Sequence, residues 1–271
     1  MCSKCTIVIE KEVKKIGFIN SKGEQIIPNE KYDYIGNFFG GIAVVIREGK
    51  YGFIDIYGEE IIPCIYNEVM YGDGEVSNEN LIGVSINGKY GYINAQGKLI
   101  IPLIFDSIGR FREGLAPVMM NKKWGYIDKN GKLIIPCIYS YAREFFDGMA
   151  CVEICYNELP FGGCGFWGFI NINGEEIISC QYDKISSFEN GISVVVKEKK
   201  YGVINTAGEN VVEFGVYDFI GNYEYGLAIV KKHNKYGYIN TFGELTIPII
   251  YDYDDMEMEG CSLINGYATL R

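Results

Sequence analysis

Apolar residues fall along this chain in short bursts separated by Gly, Asn, Asp and Lys, and no stretch carries the i, i+3, i+4 spacing of an amphipathic helix. Bursts such as Ile42-Ala-Val-Val-Ile46, Ile192-Ser-Val-Val-Val196 and Leu227-Ala-Ile-Val230 are rich in β-branched residues, which pack well on a pleated surface. The pattern predicts many short strands joined by tight turns. It also repeats. The phrases Ile16-Gly-Phe-Ile-Asn20, Tyr51-Gly-Phe-Ile-Asp55, Tyr90-Gly-Tyr-Ile-Asn94, Trp124-Gly-Tyr-Ile-Asp128, Trp167-Gly-Phe-Ile-Asn171, Tyr201-Gly-Val-Ile-Asn205 and Tyr236-Gly-Tyr-Ile-Asn240 are one motif in seven copies. Their glycines, Gly17, Gly52, Gly91, Gly125, Gly168, Gly202 and Gly237, are about 35 residues apart, apart from two insertions.

Each phrase ends in Asp or Asn, with Gly three residues on, as in Asp55 and Gly58 or Asn94 and Gly97. An Asx opening a type I turn accepts local backbone hydrogen bonds, and Gly at the fourth position takes the left-handed conformation of a bulged hairpin. Apolar runs such as Ile61-Ile62-Pro63 follow, and Pro is expected to end the pairing there. An aromatic recurs at Tyr32, Tyr66, Phe105, Tyr139, Tyr182, Tyr217 and Tyr251. Each unit thus reads as a four-stranded meander: A from that aromatic onward, B such as Leu115-Ala-Pro-Val, C the Gly-containing phrase, D the Ile-Ile-Pro run. Such a sheet cannot exclude water from both faces alone, so units must stack. The expected fold is all-β, seven tandem four-stranded units in a single domain over 1–271. A seven-bladed β-propeller is favoured, with an open β-solenoid or spiral array as the alternative. The chain finishes with an A segment near Tyr251 and a B-like Cys261 to Ile264, and that extra strand A is expected to complete the first blade and lock a ring.

The recurring Trp-Gly or Tyr-Gly, the Asp/Asn-x-x-Gly turn, the Ile-Ile-Pro and the Tyr-Asp resemble the bacterial WG-repeat family over nearly the whole chain. Trp itself stands only at Trp124 and Trp167, with Tyr in four units and Ile16 in the first. The resemblance implies a β-rich repeat protein and little about activity, because repeat folds host many functions.

Charge narrows the partners. With 25 basic against 35 acidic residues the chain carries a net charge of -10, which opposes binding to nucleic acid or to an anionic membrane. Nine cysteines and an N-terminus without the form of an export signal are expected for a cytoplasmic protein with reduced thiols. Cys64, Cys137 and Cys180 share one register and read as small core residues, as does Cys151. Cys2 and Cys5 have the spacing of a zinc half-site without a second half, and residues 73–79 lack the full calcium-loop pattern. His233, the only histidine, lies among Lys231, Lys232 and Lys235 in a turn, so no nucleophile and base pair is built on it. No cofactor, metal or catalytic residue is assigned, and the chain is read as no enzyme.

In a meander the AB and CD turns share one end of each sheet. Acids gather there: Glu24, Glu59, Glu60, Glu113, Asp147, Glu175, Glu176, Glu189, Glu209, Glu224, Glu244 and Glu259. Lysines and Arg47 gather in the BC turns at the other end. One acidic face is therefore expected, with Glu113, Asp147, Glu189 and Glu224 as candidates for contacting a cationic protein or peptide. The insertion 155–164 adds Tyr156, Leu159, Pro160 and Phe161 as apolar anchors. The expected function is a non-catalytic interaction scaffold, and the alternative is a small-molecule or glycan-binding module using exposed aromatics.

Overall fold

The computed structural model describes residues 7–10, 16–19, 22–28, 31–38, 40–70, 81–155 and 165–252. Cys2, Cys5, residues 73–79, the anchors Tyr156, Leu159, Pro160 and Phe161, Glu259 and the C-terminal stretch lie outside the described residues. Among the described residues the regular structure is entirely β, in seven antiparallel sheets that follow one another in chain order, one per repeat. Six have four strands, and the first has three, Ile7–Glu10, Ile16–Ile19 and Gln25–Ile27.

The second sheet illustrates how the repeat folds. Its strands A to D are Tyr34–Ile35, Ile42–Arg47, Lys50–Asp55 and Glu60–Tyr66, hydrogen-bonded in that order. B and C form an unbroken ladder from Ile42 opposite Asp55 to Arg47 opposite Lys50. Ala43, Val45, Phe53 and Ile54 in its centre are fully buried, so both faces are covered, as the near-continuous apolar runs require. Burying one such Ile or Phe side chain stabilises by about 2 kcal/mol. Glu48 and Gly49 join B to C with φ of 54° and 68°; that two-residue turn has the twist of the strands it connects. The CD turn is the expected Asx turn. Asp55 Oδ1 accepts from the backbone N of Tyr57 and Glu59, and Gly58 N donates to the Asp55 carbonyl.

Pro63 does not end strand D. Tyr51 pairs with Tyr66 and Phe53 with Ile62, so D carries a bulge opposite Gly52. Pro63 sits exposed within that bulge on the edge strand, where a missing N–H breaks no ladder bond. The aromatic of the Tyr-Asp pair therefore closes D instead of opening A, and A shrinks to two residues in sheets two, four, five and six. In the first and sixth repeats one extra residue separates Pro28 from Tyr32 and Glu213 from Tyr217. There D stops early, at Ile27 and Val212.

By its contacts the chain divides into two compact units, Met1–Cys137 and Ile138–Arg271. In the first, apolar clusters fill the gaps between consecutive sheets. Phe18 and Ile27 meet Ile35, Val45 and Ile54; Phe53 and Ile62 meet Ile82, Val84 and Ile93; Tyr92 and Ile101 meet Ile108, Val118 and Ile127. In the second, Phe169 and Ile178 meet Ile185, Val195 and Ile204, and Val203 and Val212 meet Ile220, Val230 and Ile239. The CD turns key these stacks together. An added Cβ on Gly97 would lie 3.0 Å from Ile62 of the preceding sheet, and one on Gly243 would lie 2.8 Å from Val212.

Candidate functional site

Register fixes which turns share an end. In the sixth sheet Ile192, the first residue of B, faces Asn205, the last of C, while Lys197 faces Lys200. The AB and CD turns therefore lie together, opposite the BC turn. In the second unit the AB/CD end carries exposed Asp147, Glu175, Glu176, Glu189, Glu209, Glu224 and Glu244. In the first unit the same end is mixed, with exposed Glu24, Glu59 and Glu113 beside exposed Lys98, Arg110, Arg112, Lys129 and Lys132. The single acidic face expected from the sequence is thus confined to the second unit, because Lys98 and Lys132 stand where later repeats carry Glu175, Glu209 and Glu244.

The acids are not equivalent. Asn171, Asn205 and Asn240 each donate through Nδ2 to Glu175, Glu209 and Glu244 at 2.6, 2.8 and 2.9 Å, so those carboxylates complete the CD turns. Of the AB candidates, Glu113 and Asp147 occupy the first turn position, each with φ 52°. Glu189 precedes its turn, exchanging backbone hydrogen bonds with Ile192, and Glu224 likewise faces Leu227.

Beside these turns the second unit contains a cavity of about 490 Å³ lined by Arg143, Phe146, Ile185, Ser186, Ser187, Phe188, Glu189, Ile192, Asn222 and Tyr223. Three sheets contribute: the fifth (A Tyr141–Ala142, B Met149–Cys155), the sixth (A Lys184–Ile185, B Ile192–Lys197) and the seventh (A Phe219–Glu224, B Leu227–Lys232). Of the candidates read from sequence, Glu189 lines the cavity, and Asp147 and Glu224 directly follow the lining residues Phe146 and Tyr223. Glu113 belongs to the first unit.

Sequence reasoning missed Arg143, Ser186, Ser187 and Asn222. The signal was there, as a departure from the repeat. Gly36, Gly109 and Gly221 hold the position that Arg143 and Ser186 fill. A Cβ on Gly36 would meet Val44 at 2.7 Å and one on Gly221 would meet Ile229 at 2.6 Å, whereas Arg143 lies opposite the smaller Cys151, its N donating to the Cys151 carbonyl. Ser186 Oγ accepts from Val194 N at 2.9 Å, and buried Ser193 donates to the Ser186 carbonyl at 2.9 Å. Arg143 carries its guanidinium over the Trp167 ring, 5.1 Å from the centroid, and Tyr141 packs on the same ring at 5.7 Å. Phe188 is fixed against Phe169 at 4.4 Å.

Two groups beside the cavity, Cys151 and Tyr223, are held protonated. Burial pushes the Cys151 thiol up to about 11, and it donates to the Ser186 carbonyl. Burial likewise pushes Tyr223 up to about 12, its hydroxyl donating to the Asn240 carbonyl at 3.1 Å. Cys64, Cys137 and Cys180 are half-buried rather than fully in the core, with Cys137 and Cys180 donating to the Val118 and Val152 carbonyls. His233 is a turn residue: φ is 49°, and its backbone N donates to Asp218 Oδ2 at 2.8 Å. Among the described residues no three His, Cys, Asp or Glu side chains converge on a metal position, and no helix is long and apolar enough to cross a membrane.

The glycine of the repeated phrase has a steric reason that runs through the array. A Cβ on Gly52, Gly125, Gly168 or Gly237 would come within 2.6 Å of the strand D carbonyl oxygen of Ile62, Ile135, Ile178 or Ile247. The family model of the WG containing repeat matches at residues 16–51, 51–90, 90–124, 124–154, 167–201, 201–236 and 236–253. The chain belongs to the WG containing repeat family. In WG repeat terms, the bulge at Ile-Ile-Pro and the Gly of the name are two halves of one contact. A comparison with curated proteins returns no match. Among solved structures, a eukaryotic initiation factor aligns with a TM-score of 0.47 at 11% identity, over 92% of this chain and 74% of that one. Kluyveromyces lactis Hsv2p aligns with a TM-score of 0.44 at 9% identity, over 76% and 74%. A Bacteroides caccae protein of unknown function aligns with a TM-score of 0.29 at 16% identity, over 77% and 92%. Likenesses of this size carry no functional information.

Proposed function

We propose that this WG repeat chain is a non-catalytic interaction scaffold that binds a cationic segment of another protein at the AB/CD end of its second unit. The observation that carries this reading is the separation of charge there: Asp147, Glu189, Glu224 and the CD-turn glutamates at one end of three successive sheets, and Lys197, Lys199, Lys200, Lys231, Lys232 and Lys235 at the other. A one-signed surface on a rigid sheet stack raises the encounter rate with oppositely charged chains and disfavours acidic ones. A non-catalytic role is supported by thiols that burial holds protonated and by His233 serving a turn. A cytoplasmic setting belongs to the same proposal and rests on the odd number of cysteines in the sequence, nine.

Fluorescence anisotropy with a labelled Arg- and Lys-rich peptide tests it. Binding is expected to weaken steeply as salt rises and to be lost in the combined variant Asp147→Lys, Glu224→Lys, Glu244→Lys. Unchanged binding by that variant overturns the proposal.

A further inference from the structure

The cavity of the second unit has a chemistry that the charged rim alone does not. We infer that it is a binding site for one basic side chain, guanidinium or ammonium, of the bound segment; this rests on the reading above and deepens it. Its volume of about 490 Å³ falls in the roughly 300–1,000 Å³ range of ligand pockets and has room for a long side chain. Glu189 supplies a carboxylate in the wall, and Phe146, Phe188 and Tyr223 supply aromatic surface, the combination that attracts a partly desolvated cation through both its charge and the ring quadrupole. Asn222 and Ser187 add polar side chains able to accept from its N–H groups.

The one like charge in the wall is Arg143, and its guanidinium is already stacked on Trp167. The flanking turn residues Asp147 and Glu224 are exposed and acidic, which disfavours an anionic occupant. The fourth repeat makes the contrast: Arg112 stands at the position of Glu189, so the same register there presents the opposite sign. An acidic cluster would attract any cation weakly; a walled cavity with a carboxylate and rings selects a side chain of particular length and shape.

The test uses the full chain and the same labelled Arg- and Lys-rich peptide. Glu189→Gln, an exposed position that removes one charge without steric change, is expected to weaken binding about tenfold. Phe146→Ala is expected to do the same, with Glu244→Gln, at the turn, changing it less than twofold. A peptide with norleucine in place of its basic residues is expected not to bind, and free N-acetyl-arginine amide is expected to compete with the basic peptide at millimolar concentration for the wild type and not for Glu189→Gln. Wild-type affinity in Glu189→Gln, with binding still abolished by the three-residue charge reversal, overturns the cavity inference and leaves the acidic-end reading standing. Failure of the wild type to bind the basic peptide overturns both. If Phe146→Ala fails to fold, Glu189→Gln and the competition decide alone.

Discussion

A side-chain carbon on Gly125 would stand 2.5 Å from the carbonyl oxygen of Ile135, closer than any carbon and oxygen pack. The close approach comes from the bulge in strand D, so relieving the clash means moving the backbone of both strands. Gly125→Ala is expected to destabilise by about 3 kcal/mol, the upper end of overpacking penalties. Gly114→Ala is the control: φ is 85° and nothing lies within 4 Å of the added carbon, so only the left-handed strain of about 1 kcal/mol remains. Urea unfolding of both variants separates steric crowding from backbone strain.

The Asp of the Tyr-Asp pair clamps the BC turn of its own sheet. Asp33, Asp106 and Asp218 accept from the backbone N of Glu48, Asn121 and His233 at 2.7, 2.8 and 2.8 Å, and Asn67 does the same for Asn87 at 3.0 Å. Asp218→Ala is expected to cost about 1 kcal/mol, and Asp218→Asn less than half of that, since Asn67 already performs the task in the third sheet. Amide hydrogen exchange at His233 should quicken in the alanine variant only.

Asp106 ties this clamp to pH. The Lys89 ammonium, 2.6 Å away, and then the Asn121 backbone N hold its carboxyl below the ordinary aspartate range. A depressed folded value means a contribution to stability that is present above the unfolded value, near about 3.9, and is lost as pH falls through the folded one. The melting temperatures of wild type and Asp106→Asn are therefore expected to differ at neutral pH and to converge in acid. Lys89→Met should raise the Asp106 titration midpoint seen by NMR.

The thiols give a chemical check on the packing. Burial raises Cys151 to about 11, and burial together with the Glu176 charge raises Cys180 to about 12. At pH 8 both should resist iodoacetamide in the folded chain and react once urea unfolds it. The sign for stability is the reverse of the Asp106 case: their contribution is complete below the unfolded thiol value, about 8.5, and declines as pH climbs toward the folded ones. Rapid labelling of Cys151 under native conditions would contradict its position beneath Ser186.

Repeat phase, strands B and C and the Asx turns were legible because each is written locally, in β-branched runs and in Asp55-x-x-Gly58. Strand D was misread at Pro63, where local chemistry argues for a stop. The stop is averted by a contact across the sheet, Gly52 against Ile62, that no neighbouring residue announces. Tyr66 went to the wrong strand for the same reason. The acidic end was legible as a sum over repeats, yet Lys98 and Lys132 break it in the first unit, a distinction that emerges only when repeats are compared position by position. Arg143 and Ser186 recur nowhere in the repeat and so carry no periodic signal; each stands, as Met70 does in the third sheet, where Gly36, Gly109 and Gly221 stand in others.

The seating of Gly97 on Ile62, and of Gly243 on Val212, gives the stack a direction. Each turn rests on the sheet that precedes it in the chain, so a polypeptide leaving the ribosome from its amino end offers every newly emerged repeat a finished surface to land on. A chain translated without the sheet beneath such a turn loses that landing surface and should aggregate more readily during synthesis.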